Sequence, residues 1–437
     1  MSATGTGGVT ALEHWQARVA EVPDAHMRSQ LGAVGVSATL HLAPELARAA
    51  TAALPPGVAV IAFAQAAAEH RAPASAEVAE QVAAGLRAWP RGWTDRELGL
   101  GLWAGMAEAE ARVRELPLEF RWEPLRQCIE AGVPATAEDA LAWAERIDVM
   151  PLGLDRCRIA YLRRRVARTH GRLGADEAAA LGAMLEPIAD PLLRLEGFFE
   201  LAVATPAPGA AGRAWAEIAV TAGREPLDLL RDCEREMRVA AVLARAADAG
   251  ANAAWERALA GFEKLAQAER WSLYGGFCRG AAASGAARLD GLLARLDGER
   301  QLRDEKQRLA IVEEAADALR YLEPEADCGA VFGALTREVR PRRPVRVDDM
   351  KVLASLVRAA LRTGARPVDT WLADLADKLR AADKADLQPM TLARTARIIA
   401  AESPSTALGL ERNLSAPFQR ALWALGVLQA ELDRPDA

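Results

Sequence analysis

The sequence predicts an all-α protein, a right-handed α-solenoid of helical-hairpin repeats with no sheet. Its apolar content, 51% of the chain, comes mostly from Ala and Leu, which favour helix, while Tyr (3) and Phe (8) are scarce. Runs of β-branched residues, the usual mark of strands, are nearly absent. Gly and Pro recur often enough to forbid long bundle helices. Between Asp190 and Leu319 one phrase also returns four times. Each time a basic residue opens a run of small and branched apolar residues, a breaker follows, and then a second amphipathic run. The openings fall at Arg194, Arg238, Arg270 and Arg308. A recurrence at roughly 30–45 residues is the interval of helix hairpins that bury their apolar faces on their neighbours.

Taken in order, residues 1–10 are Gly/Thr/Ser-rich and read as a disordered tail, with neither the basic nor the apolar region of a signal peptide. Leu12, Trp15, Val19 and Val22 at helical spacing predict a first helix that stops at Pro23. Degenerate hairpins follow to Leu116, including a single helix over 94–116 with Thr94 as its N-cap. Short helices are expected at 121–132 and 136–147, then longer ones at 154–173 and 176–188, leading into the clear repeats of 190–339. Residues 11–339 thus read as one solenoid. Residues 340–349, with Pro341, Pro344 and four arginines, form a basic Pro-rich linker, and 350–437 supply further helical repeats. The last helix, with Phe418, Leu422, Leu425 and Leu428 on one face, would shield the end of the stack.

The formal net charge of −6 argues against a protein that coats nucleic acid with its whole surface, but permits a local basic patch. Arg outnumbers Lys 49 to 5, and with the Ala richness this reads as high-GC codon usage, pointing to a bacterial source. Five dispersed cysteines (128, 157, 233, 278, 328) with no CxxC pair fit reduced core thiols better than a disulfide framework. No apolar run approaches a membrane span, and a cytoplasmic location is expected.

No catalytic or ligand-binding motif rises above chance. The five histidines (14, 26, 41, 70, 170) never fall at i, i+3 or i, i+4, so no metal site and no cofactor are expected. Asp348 and Asp349 lack further ligands nearby. Gly99, Gly101 and Gly105 follow no strand and read as close helix packing rather than a nucleotide loop. The most suggestive feature is basic: Arg156, Arg158, Arg163, Arg164, Arg165, Arg168, His170 and Arg172 crowd one short stretch that holds no carboxylate. On a helix, Arg158, Tyr161, Arg165, Arg168 and Arg172 share a face opposite Ile159, Leu162 and Val166. Such a stripe either holds phosphates or an acidic peptide, or pairs with acidic residues such as Asp176, Glu177 and Glu186. Eleven tryptophans fall mostly at core positions. Trp89, Trp93 and Trp103, around a Pro/Gly corner, are the candidate aromatic anchors for a partner.

The phrase Asp190–Pro191, Arg194, Leu201–Ala202, with its echo at Asp232, Arg238 and Leu243–Ala244, resembles degenerate tetratricopeptide or HEAT-like repeat arrays of high-GC bacteria. The resemblance implies a helical scaffold, mostly non-enzymatic, whose concave face binds a protein or peptide, here one of acidic character. Arg158, Arg165, Arg168, Arg194, Arg238 and Arg245 are its candidate contacts. The alternative is a HEAT-like nucleic-acid binder or base-processing enzyme using the Arg156–Arg172 stripe.

Overall fold

The computed structural model describes residues 7–28, 31–32, 35, 76–87, 92–130, 137–169, 172–205, 210–222, 227–296, 305–322, 347–363, 368–382 and 389–433. Among them there is helix, turn and irregular chain but no strand, so the all-α expectation holds. Two compact units emerge, one of residues 1–168 with 416–437 and the other of residues 169–415.

In the second unit α8 (Ala175–Leu185) leads into a series of hairpins. The leading or A helices are α9 (Pro191–Ala204), α11 (Leu229–Arg245), α13 (Gln267–Ser284), α15 (Glu305–Ala318), α16 (Val347–Thr363) and α18 (Pro389–Ala400). Their B partners are α10 (Ala210–Ala222), α12 (Ala251–Lys264), α14 (Ala286–Leu296), α17 (Val368–Arg380) and α19 (Pro404–Glu411); the stretch that follows α15 and the 3-10 turn Leu319–Tyr321 lies outside the described residues. Each A helix packs on its own B helix where that is described, and on the next A helix. The stack runs α9, α11, α13, α15, α16, α18. A single hairpin exposes one apolar side, and only the neighbour covers it.

The period is more regular than the basic residues suggested. A helices open at Pro191, Leu229, Gln267 and Glu305, at one constant interval, and then at Val347 and Pro389 after a slightly longer one. Arg194, Arg270 and Arg308 are therefore in register, each at the fourth position of its helix, whereas Arg238 lies deep inside its own. The true counterpart of Arg194 in the second repeat is Asp232, and that of Asp190 is Asp228. Both Asp190 and Asp228 are N-caps. Asp190 Oδ1 accepts from Leu192 N at 2.8 Å, with Pro191 in the first turn, and Asp228 Oδ1 accepts from Arg231 N at 2.9 Å. The start signal thus repeats through cap chemistry, not through the basic residue.

Aromatic and small residues fill this stack. Phe198 on α9 meets Trp215 on α10 at 6.1 Å between centroids, and Phe262 on α12 lies 4.7 Å from Phe277 and 5.3 Å from Tyr274 on α13. Helix α13 approaches α11 closely because Gly276 and Gly280 face Met237: a Cβ at Gly280 would lie 3.1 Å from its Sδ.

The first unit contains α1 (Gly7–Ala20), α2 (Ala76–Arg87), α3 (Asp95–Trp103), α4 (Ala107–Glu115), α5 (Trp122–Glu130), α6 (Ala137–Arg146), α7 (Pro151–Arg168) and α20 (Pro417–Leu432). Here α3, α5 and α7 stack in series, and their starts at Asp95, Trp122 and Pro151 follow more closely than those of the A helices. Gly99 permits this, since a Cβ there would sit 2.6 Å from the Pro124 carbonyl oxygen. The single helix expected over 94–116 is instead two. Gly105, at φ +69°, turns the chain between α3 and α4, a backbone state that costs glycine little. Gly99 and Gly101 are packing glycines as expected; Gly105 is a turn.

Helices α1 and α20 pack together in this unit. Ala11, Leu12 and Trp15 of α1 form one core cluster with Ala424, Leu425 and Leu428 of α20, with Val19 and Leu432 packed against it, and Arg420 pairs with Glu21 at 3.1 Å. The last helix shields apolar surface as expected, but what it covers is the first helix. That helix begins at Gly7, inside the stretch expected to be a tail, and α16 begins at Val347, inside the expected 340–349 linker; residues 340–346 lie outside the described residues. Leu428→Ala should cost about 2–5 kcal/mol, as for other fully buried leucines. Urea denaturation of the variant checks this, and an unchanged midpoint would mean that the two terminal helices do not share a core.

Candidate functional site

The stacked A helices of the second unit carry polar links that cross from one repeat to another. Arg238 on α11 reaches Glu234 at 2.7 Å on its own helix and Glu196 at 3.4 Å on α9. Glu200, also on α9 and one turn beyond Glu196, is buried and takes both bonds of Arg279 on α13, at 3.1 and 3.0 Å. Arg279 also lies over the Phe199 ring at 5.4 Å. Further along, Lys351 on α16 pairs with Glu313 on α15 at 3.0 Å, and Arg358 pairs with Asp317 at 3.2 Å. The A helices are thus joined by apolar packing on one side and ion pairs on the other.

Arginines also satisfy carbonyls left open at helix ends. Arg245, at the end of α11, donates to Ala202 O at 3.1 Å and to Tyr321 O at 2.9 Å. Arg362, on α16, donates to Arg320 O in the 3-10 turn. The last carbonyls of a helix lack intrahelical partners, so a guanidinium there supplies donors and favourable charge.

Burial shifts several groups along this side. Burial pulls Arg279 down, but Glu200 and Tyr321 outweigh it and leave its pKa raised. Burial and then Asp317 raise the Glu314 carboxyl, and burial raises the Tyr321 phenol. Arg358 is pulled down by burial against the attraction of Asp317. Arg362 is pushed down to about 9 by burial, with Arg172, Arg358 and Arg320 acting in the same direction and Glu402 against it.

The residues singled out in the sequence fall in both units: Arg158, Tyr161, Arg165 and Arg168 in the first, Arg172, Arg194, Arg238 and Arg245 in the second. Arg158 is largely buried and bonds Asp155 at 2.5 Å, a partner just outside the carboxylate-free stretch. Tyr161 is buried with Ile159, Leu162 and Val166, not opposite them on an exposed face. Arg165 is half-buried within α7, and the side chain of Arg168, the last residue of that helix, lies outside the described set, as do His170 and the side chain of Arg308. Helix α7 ends at Arg168, so the exposed Arg172 is not on its stripe and belongs to the second unit. Arg194 is half-buried on α9, and its Nε has no acceptor among the described residues. Of the tryptophans, Trp93 donates to Leu86 O at 3.1 Å and stacks under Arg112 at 4.2 Å, so it ties α2 to α4. Trp89 and the side chain of Trp103 fall outside the described residues.

Reading the sequence missed Glu200, Arg279, Asp317, Arg320, Arg358 and Arg362. A signal was present: Arg358 and Arg362 stand one turn apart and are the only charges between Val352 and Thr363 in a mostly apolar stretch, where an unpaired charge would be costly.

Cys157, Cys233 and Cys278 are buried, and burial pushes each thiol up to about 12, so none is a nucleophile near neutral pH. No group of three or more His, Cys, Asp or Glu suited to a metal occurs among the described residues. The cavity bounded by Leu102, Met106, Glu110, Trp143, Arg146 and Ile147 in the first unit encloses about 10 Å³, room for one water. No described helix is long and apolar enough to cross a membrane.

No family model matches the chain, and no curated protein does. Among solved structures, a circular tandem repeat protein with novel repeat topology and enhanced subunit contact surfaces is similar over 98% of this chain and 97% of its own, at 14% identity and a TM-score of 0.17. Likeness at that level carries no argument about shape or partners. What the chain's own helices define is a helical-repeat protein.

Replacing Arg279 by Met strands the buried Glu200 carboxylate. The cost should be about 2–4 kcal/mol, below the value for a wholly enclosed pair because Arg279 is partly solvated. Glu200→Gln in the same chain should recover part of it in urea denaturation, and strictly additive losses would show that the pair is not coupled.

Proposed function

We propose that the protein is a non-catalytic interaction scaffold that binds a protein or peptide partner along the polar side of its stacked A helices. The observation that carries this reading is the stack itself. Six A helices follow one another in one stack, with ion pairs crossing from α9 to α11, from α9 to α13 and from α15 to α16, and that architecture suits an extended ligand better than a small molecule. By period the hairpins fit the tetratricopeptide/HEAT-like class: the step from Pro191 to Leu229 falls between the roughly 34 residues of the first and the roughly 40–47 of the second.

Arg172 and Arg194 are the contacts to favour among those expected from the sequence, because both belong to the second unit, Arg172 is exposed, and Arg194 is half-buried with its Nε lacking an acceptor among the described residues. Arg238 and Arg245 hold repeats together, and their substitution would test stability more than recognition. An acidic segment is the partner chemistry that an arginine surface selects. A nucleic-acid ligand uses the same charge and would show a steep dependence on salt.

The test is affinity purification of the tagged full chain, with and without nuclease, followed by mass spectrometry and affinity measurement with the isolated partner. We expect a stoichiometric protein that survives nuclease and loses at least about tenfold in affinity to the Arg172→Glu, Arg194→Glu chain, the scale of one or two charge-assisted bonds. Recovery of nucleic acid alone, or an affinity untouched by the double reversal, would count against the reading.

A further inference from the structure

Four guanidiniums come near one another towards the carboxyl-terminal ends of α15 and α16. Arg358 and Arg362 stand one turn apart on α16, Arg320 lies in the 3-10 turn that follows α15, and Arg172 precedes α8. Their countercharges are few. Asp317 gives one oxygen to Arg358 at 3.2 Å and the other to Arg320 at 3.1 Å, and Glu402 acts on Arg358 and Arg362 through space. Glu314, close to Asp317, also acts on Arg320, so among the described residues four cations face three carboxylates and positive charge remains in excess.

The donors are also underused. Arg358 and Arg362 are 3% and 9% exposed, each guanidinium carries five N–H donors, and the Nε of Arg320, Arg358 and Arg362 is buried with no acceptor among the described residues. Buried guanidiniums ordinarily find acceptors, because an unmade bond inside a protein costs free energy. Two like charges at i, i+4 repel as well. Nε orphans occur elsewhere in the chain, as at Arg194, but here three lie on arginines joined to one another through Asp317 and the Arg320 carbonyl. The cluster is open to solvent on one side, where Arg172 is exposed and the side chains of Arg320 and Asp317 are 25% and 38% exposed.

We propose that Arg172, Arg320, Arg358 and Arg362 form a binding site for a phosphate dianion, either free phosphate or the terminal phosphoryl group of a monoester. The excess of positive charge favours an anion, and three or four guanidiniums can share the oxygens of a tetrahedral group, where a single carboxylate would occupy fewer of them. An anion there supplies the missing acceptors and screens Arg358 from Arg362. The low pKa of Arg362, set first by burial and then by its cationic neighbours, agrees with a site that lacks its counterion. The assignment shares Arg172 with the partner reading but is tested on the chain alone, where phosphate binding and its loss in Arg362→Met do not depend on any protein ligand.

The test is ³¹P NMR titration of the full chain with inorganic phosphate and, separately, phenyl phosphate, alongside thermal melts in the same anions with chloride at equal ionic strength as the reference. We expect saturable phosphate binding and a melting temperature raised by phosphate above the chloride control. Affinity should fall about 10- to 100-fold in Arg362→Met and measurably in Arg172→Ala, as loss of charge-assisted bonds requires. Arg172 is exposed, so its variant keeps the test decisive should Arg362→Met fail to fold. Equal binding of phenyl phosphate assigns the site to phosphoryl groups in general, and its exclusion assigns it to free phosphate. No saturable binding by the folded wild-type chain, or binding unmoved by both variants, would overturn the proposal.

Discussion

The second unit depends on one constraint: each A helix must lie against the next, because a lone hairpin cannot cover its own apolar side. Everything else follows from how closely those helices approach. Gly276 and Gly280 on α13 leave room for Met237 on α11, and that approach brings Glu200 on α9 within reach of Arg279. A wider spacing would open this ion pair and the aromatic cluster of Phe262, Tyr274 and Phe277 together. Dispersion and hydrophobic burial provide the attraction, and glycine sets the distance at which the polar links form.

Polar links then specify register. A stack held only by Ala and Leu could slide by a turn with little loss, since one small apolar residue replaces another. Cross-repeat bonds such as Arg238 to Glu196 and Lys351 to Glu313 hold only in one alignment. Arg245 adds a second device, bonding carbonyls of α9 and of the 3-10 turn after α15 from a single side chain. Arginine suits this work because its fork reaches two acceptors at once. The arginine richness of the chain therefore has a structural use.

Much of the fold is legible in the sequence, and the reasons mark where reading fails. Helix type follows from composition, and the hairpin period from breakers and caps. The register of the second repeat is easily misread because Arg238 resembles Arg194 in kind, while the cap Asp228 carries the true phase. Gly105 was absorbed into one helix because a glycine at helical spacing does not announce a positive φ. The pairing of α1 with α20 joins the two ends of the chain, and no local pattern encodes such a contact. The charged cluster was missed for the same reason: Arg320 and Arg362 are distant in sequence, and only stacking brings them together. Tyr161, conversely, looked like part of an exposed stripe because helical spacing gives two neighbours for every face and says nothing of which is covered.

A-helix contact at glycine distance underlies the whole repeat stack, and Gly280→Leu tests it most directly. A leucine there meets Met237, Ala241 and Phe199, so urea denaturation should show a loss of about 1–3 kcal/mol, partly restored when Met237→Ala is added to the same chain. A variant as stable as the parent, or one that Met237→Ala only weakens further, would contradict the packing of α13 on α11 on which the repeat stack is built.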